Sequence, residues 1–203
     1  MFTLFIIFIV GITSFLAFQN RTMFAKGAFM PYDIARFNQH YRFLSHVFLH
    51  ASWEHLIFNM LTLYFFGMLV ESGFAFYFGK WGKSLYLLEF IIAGVVATIP
   101  SYFKHKNDPS YVAVGASGAV SAILFTSILL DPTNRIYIMF IPIGIPAYVF
   151  GPVYLLYCMY MAKRNIDHIA HDVHFWGAIF GFVFPIVLKF DILNVFIEMI
   201  VGS

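Results

Sequence analysis

Apolar residues run along this chain in long blocks, not in the alternation of a strand or the single stripe of a surface helix. Six blocks predict buried or membrane-crossing helices: Phe2–Phe18, Leu49–Phe66, Ser84–Phe103, Val112–Leu130, Tyr148–Ala162 and Asp172–Leu188. The second has a blurred end, because Gly67–Phe78 stays apolar around the lone carboxylate Glu71. Polar punctuation separates the blocks: a polar, aromatic-rich stretch Gln19–His46, the basic turn Gly79–Lys83, the charged loop Lys104–Asp108 after Pro100, the turn Asp131–Arg135, and Lys163–Asn165. Pro142, Gly144 and Pro146 break any helix in Ile136–Pro146, which predicts an interfacial connector. Asp191–Val201 reads as a short amphipathic tail on the membrane surface. With no internal repeat, residues 1–203 form a single domain, with a core at about 2–188 and a tail at 189–203.

Composition turns these blocks into membrane spans. The chain is 61% hydrophobic, 21% aromatic and 11% charged, against about 25% charged in soluble domains. Its mean hydropathy is +0.82. A formal charge of +2 with no basic block excludes a nucleic-acid partner. Phe2–Phe18 lacks a basic leader and a small-residue cleavage site, so it reads as a retained span. Cys158, being single, forms no intrachain disulfide. Several blocks fall short of the ~20 residues a straight span needs. Short helices thin the bilayer or admit water, which permits hydrolytic chemistry inside a compact bundle.

Candidate chemistry starts at Gly115-Ala116-Ser117-Gly118, inside the fourth block. Flanking glycines let backbone approach, leave the serine hydroxyl uncrowded and present N–H groups to a developing oxyanion. Small residues at this spacing equally serve helix packing in bilayers. Eight histidines are present, six of them in or beside apolar blocks. His46, His50, His55 and Asn59 follow one another at spacings of four, five and four, which gathers them toward one side. A histidine at membrane depth needs a partner or a function, and a cross-helix hydrogen bond satisfies the first requirement.

Three pieces in order, Arg42–Asn59, Gly115–Gly118 and His174–Gly181, resemble the signature of rhomboid intramembrane serine proteases. They fall on the second, fourth and sixth blocks, and the resemblance covers about Phe2 to Leu188. It implies an all-α membrane protein, a six-transmembrane-helix rhomboid bundle with a partly embedded first loop. It implies Ser117 as nucleophile and His174 as general base of a Ser–His dyad, with the Ser117 N–H, His55 and Asn59 holding the oxyanion. Gly115, Gly118, Gly177 and Gly181 would provide the close helix packing at the site. His46 and His50 are assigned to structural hydrogen bonding. Asp172 lies two residues from His174, on a different side of a helix, and is read as a cap, not a third catalytic member.

Two positions depart from the family pattern: Tyr41-Arg42 where Trp-Arg is common, and Ser121 where an aromatic is common. The second removes the ring expected under the imidazole, and Phe125 or Trp176 is the expected replacement. The implied substrates are transmembrane or juxtamembrane segments of other membrane proteins, cut at small residues near helix-breaking Gly or Pro. No metal or organic cofactor is required. Two rival readings stand beside this one: an inactive rhomboid-like helix-binding protein, and a His-rich metal site using His168, His171 and His174 with His46, His50 and His55. The family orientation, in the plasma or inner membrane with the site opening to the extracytoplasmic side, places eight cations outside. These are Arg21, Lys26, Arg36, Arg42, Lys104, Lys106, Lys163 and Arg164, against Lys80, Lys83, Arg135 and Lys189 inside. That runs opposite to the positive-inside rule.

Overall fold

The computed structural model describes residues 1–137, 143–164 and 169–202. It is mostly helical, and the helices follow the apolar blocks. Helix α1 (Phe2–Gln19) has no acidic residue in its first turn. Its start is capped from a distance: the Glu71 carboxylate accepts the Phe2 N–H at 2.9 Å, the Thr3 N–H at 3.0 Å and the Thr3 hydroxyl at 2.8 Å. The polar stretch then folds into short helices. Asn20 caps α2 (Arg21–Gly27), Pro31 opens α3 (Pro31–Phe37), and Asn38 ends α3 in the left-handed region at φ 55°. Helix α4 (Arg42–Ser45) runs into a 3₁₀ turn, His46–Phe48.

Ser52 accepts the His55 N–H and so starts α5 (Trp53–Phe78). The blurred second block is one continuous helix, twelve residues beyond its expected end at Phe66: Gly67 and Gly73 stay helical within it, and the backbone first turns left-handed at Gly79, at φ 57°. A 3₁₀ turn leads into α6 (Gly82–His105). Helix α7 (Ser117–Leu130) is buried at every position after Ser117. It is the central post of the molecule, with α5, α6 and α9 packed around it. At about 1.5 Å per residue its 14 residues rise about 21 Å, less than a bilayer core.

Arg135–Tyr137 (β1) and Gly144–Pro146 (β2) pair antiparallel in the predicted connector, with Arg135 opposite Pro146. Pro142, expected to break a helix there, lies outside the described residues, as does Asn165. Helices α8 (Ala147–Arg164), α9 (His171–Leu188) and α10 (Asp191–Val201) complete the chain. The tail does not lie free, since Ile192 is buried and Phe196 packs edge-on against Phe182 at 5.4 Å. Among the described residues, three stretches are long and apolar enough to cross a membrane: Phe2–Gln19, Trp53–His105 (α5, the turn and α6) and His171–Leu188.

Polar side chains inside this core join helices. The Thr126 hydroxyl of α7 lies between the Glu89 carboxyl of α6 and the Gly181 carbonyl of α9, tying three helices at one point. Helix α9 meets α7 backbone to backbone. A methyl group at Gly177 would fall on the Gly118 carbonyl, and one at Gly181 on the Ala122 carbonyl.

Candidate active site

The fourth block does not begin as a helix at Val112. Phe29 and Ala113 exchange backbone hydrogen bonds at 2.9 and 3.0 Å, holding the strand-like approach extended. Gly115 then adopts φ 128°, which L side chains rarely reach, and the helix starts at Ser117. Gly115 is therefore a turn residue and not part of a helix-packing face. Its missing side chain is also required by space, since a Cβ would stand 2.5 Å from Cε1 of His55. Gly118, one residue into α7, faces Val173 and Ala97, where a Cβ would come within 2.8 and 2.9 Å.

The first loop grips this turn at two further points. The Gly115 N–H donates to the His46 carbonyl at 3.0 Å, and the Ala116 N–H donates to His50 Nε2 at 3.5 Å. Because Nε2 accepts, His50 Nδ1 carries the proton and donates to Ser14 Oγ of α1 at 2.9 Å. Ser14 and Thr13 in turn donate to the Phe48 carbonyl at 3.1 and 2.7 Å. His46 Nδ1 donates to the Arg42 carbonyl at 3.0 Å. Both loop imidazoles are buried, and desolvation pushes His46 down to about 4 and His50 down to about 3, the latter helped by neighbouring His55. Arg42 anchors the loop itself, donating to the Ala25 and Ala28 carbonyls at 2.8 and 2.6 Å and pairing with Asp33 at 3.4 Å. Tyr41, its departing neighbour, is exposed, with Arg42 over its ring at 5.6 Å.

Ser117, Asn59 and His174 line one cavity of about 530 Å³, bounded by α5, α7, β1, α8 and α9. Ser117 sits at the start of a helix whose first internal hydrogen bond is Val120 N–H to Ala116. The N–H groups of Ser117, Gly118 and Ala119 have no acceptor within their own helix, and the helix dipole adds positive potential there. Asn59 Nδ2 spends one hydrogen on the His55 carbonyl at 3.0 Å and retains a second. His55 is one turn up α5, its ring against Gly115 and edge-on to His50 at 4.9 Å. His46 and His50 stand behind the serine turn, away from the cavity lining. His174 packs on His171 at 5.9 Å, which packs edge-on to Tyr157 at 5.5 Å.

Three features escaped the sequence. Ser121, where a ring is common, hydrogen-bonds Tyr154 of α8 at 3.0 Å, and Tyr154 lines the cavity. The aromatic bonded to Ser121 in the cavity wall is thus Tyr154, while Phe125 packs on it at 5.7 Å and Trp176 is exposed. Asp172 sits inside the first turn of α9, accepting the Val173 N–H at 3.0 Å and the Ser101 hydroxyl at 2.6 Å, whereas the N-cap position is Ala170. The third concerns the metal rival. Its described histidines are not all brought together, since His46, His50 and His55 surround the serine turn while His171 and His174 lie on α9; His168 lies outside the described residues. Among the described residues the group able to hold an ion is Cys158, His171 and His174. Cys158 and Tyr154 share one face of α8 at a spacing of four, the one signal the sequence offered.

Fold and site define a membrane-spanning helical protein whose central cavity presents a serine at a helix start and a histidine on the neighbouring helix. Residues 38–190 match the family model for the rhomboid domain, and the chain belongs to the rhomboid family. It is 38% identical over 90 residues to Rhomboid-like protein 11, chloroplastic, of Arabidopsis thaliana, which covers 44% of this chain and 29% of that protein. It is 27% identical over 151 residues to the mitochondrial RHOMBOID-like protein 12 of the same plant, covering 66% and 42%. To Rhomboid protease GluP of Bacillus subtilis it is 31% identical over 117 residues, covering 58% and 21%. The matches thus span less than half the length of each of these curated relatives.

Proposed function

We propose that this protein is an intramembrane serine endopeptidase that cleaves transmembrane or juxtamembrane segments of other membrane proteins. The observation that carries the reading is the shared cavity of Ser117, His174 and Asn59 beside a helix start. In the proposed reaction His174 takes the Ser117 proton as the hydroxyl oxygen attacks the scissile carbonyl. The tetrahedral oxyanion is held by the Ser117 N–H, Asn59 Nδ2 and the His55 ring. His174 then protonates the leaving amine, and water releases the acyl group from Ser117 by the same route in reverse. Removing one oxyanion donor costs about 10²–10³ in rate.

Helices α1, α5, α6, α7, α8 and α9 are the six proposed crossings, with the first loop partly embedded and residues 1–203 acting as one domain. Short α7 keeps Ser117 below one membrane face, where water reaches it. A substrate helix must unwind to expose its carbonyl, which favours small residues near Gly or Pro. The proposed setting is a cell membrane, with the site opening to the extracytoplasmic side.

Wild type and Ser117→Ala, each purified in detergent and in liposomes, are to be incubated with a transmembrane substrate carrying a small, helix-breaking site. Cleavage by wild type that persists in EDTA and vanishes in Ser117→Ala is the expected result. Binding without cleavage by either protein would favour the inactive helix-binding reading, and EDTA-sensitive cleavage surviving Ser117→Ala would overturn the assignment.

A further inference from the structure

We infer that Cys158, His171 and His174 bind a soft divalent cation, Zn²⁺ above all, and that the bound ion switches proteolysis off. The inhibitory role rests on the assignment of His174 as general base; the site itself does not. His171 and His174 are three residues apart at the start of α9, so their side chains share a face. Cys158 of α8 is buried against that face, and one ligand atom from each of the three lies within 4.8 Å of the others. On a tetrahedral zinc ion, with bonds of about 2.3 Å to sulfur and about 2.0–2.1 Å to nitrogen, two ligands stand roughly 3.5 Å apart. Small rotations of the two imidazoles therefore close the site without moving a helix. A thiolate with two imidazoles selects zinc or copper over magnesium or calcium.

The site also has an approach. His171 and Asp172 line a second, polar cavity of about 400 Å³ together with Asp108, His105 and Lys104, while His174 lines the first. The two histidines of the trio thus face one cavity each, and the two carboxylates of the polar cavity offset its lysine for an incoming cation. On binding, the Cys158 thiol releases its proton to water and each imidazole donates a nitrogen lone pair to the metal. Any coordinated His174 nitrogen ceases to be a base, and the ring is locked toward α8. The Ser117 proton then has no acceptor. Neither Ser117 nor Asn59 needs to change position.

Co²⁺ is the spectroscopic probe, added to the full-length Ser117→Ala protein so that the readout does not depend on proteolysis. Thiolate-to-cobalt absorption with tetrahedral ligand-field bands is expected, displaced by Zn²⁺ and lost in Cys158→Ser and in His171→Gln. In the cleavage assay, metal-free Cys158→Ser should match wild type. Micromolar Zn²⁺ should lower wild-type cleavage about tenfold or more, reversed by EDTA, with Cys158→Ser needing at least about tenfold more Zn²⁺. Absence of the cobalt bands, equal Zn²⁺ sensitivity in wild type and Cys158→Ser, or cleavage stimulated by Zn²⁺ would each overturn the inference. Bands in a protein that never cleaves substrate would uphold the site and defeat the protease reading beneath its inhibitory role.

Discussion

His50 accepts the Ala116 N–H at Nε2 and donates from Nδ1 to Ser14, so the Ala116 bond exists only while the ring is neutral. His46 donates to the Arg42 carbonyl, a bond that favours the charged ring, but desolvation by burial outweighs it. In an unfolded chain both rings titrate near 6.5, but in the fold they do so near 4 and 3. Between those values and 6.5 the unfolded state binds protons that the folded state refuses, so stability falls as pH drops. Each ring contributes a loss of about 2 kcal/mol by pH 5. Thermal unfolding of Ser117→Ala at pH 7 and pH 5 should show a lower midpoint in acid, and His46→Phe, which keeps a ring beside Phe29, should show a smaller drop. A midpoint independent of pH would contradict neutral burial. His50→Phe preserves volume but frees the Ala116 N–H; loosening the serine turn by about 1 Å should cost on the order of 10²-fold in cleavage rate. Tyr154→Phe keeps the ring and loses only the Ser121 bond, so its cleavage rate should stay within about tenfold of wild type while Tyr154→Ala falls further.

At the level of helices, close packing decides which glycines matter. Gly177→Ala and Gly181→Ala drive a methyl into carbonyls of α7 and should destabilise by about 1–3 kcal/mol, read as a lower unfolding midpoint. Gly11 of α1 meets nothing within 4 Å, so Gly11→Ala should stabilise by about 0.5–1 kcal/mol through helix propensity alone. An equal response at Gly11 and Gly181 would refute the backbone-to-backbone contact. The same elements show what the sequence could reveal. Apolar blocks located α1, α6, α8 and α9 within a few residues, because composition and polar breaks are local signals. Ser117 and His174 were legible as motifs, and both line the cavity. The start of α7 was not legible: Ala113, Gly115 and Ala116 are held by Phe29, His46 and His50, partners some 66 to 84 residues earlier that no local pattern announces. Thr13 and Ser14 are polar residues in an apolar span, but nothing local in the sequence names Phe48 as their acceptor. That Tyr154 of another helix reaches Ser121 was hidden for the same reason.

Across the whole molecule, these long-range bonds bear on orientation. The first loop is tied to residues 113–116, and Ser101 near the end of α6 is tied to Asp172 at the start of α9. The first loop, the loop of Lys104–Asp108, Ser117 and His174 therefore share one end of the bundle, and with them most of the chain's cations. The turns at Lys80 and Thr133 stand at the opposite ends of α5 and α7. Orientation is thus one binary choice for all these loops. Loop charge argues for a cytoplasmic active-site end, but Arg42 is 5% exposed, with its guanidinium spent on carbonyls and Asp33, so it is no free signal. We expect the folded first loop to prevail and the active-site end to face outward. In intact cells carrying a Cys158→Ser background, a membrane-impermeant maleimide should label Ser110→Cys at once and Thr133→Cys only after permeabilisation. The reverse pattern would turn the molecule over, so the serine's cavity would open to the cytoplasm and its substrates would have to present their unwound segments from that side.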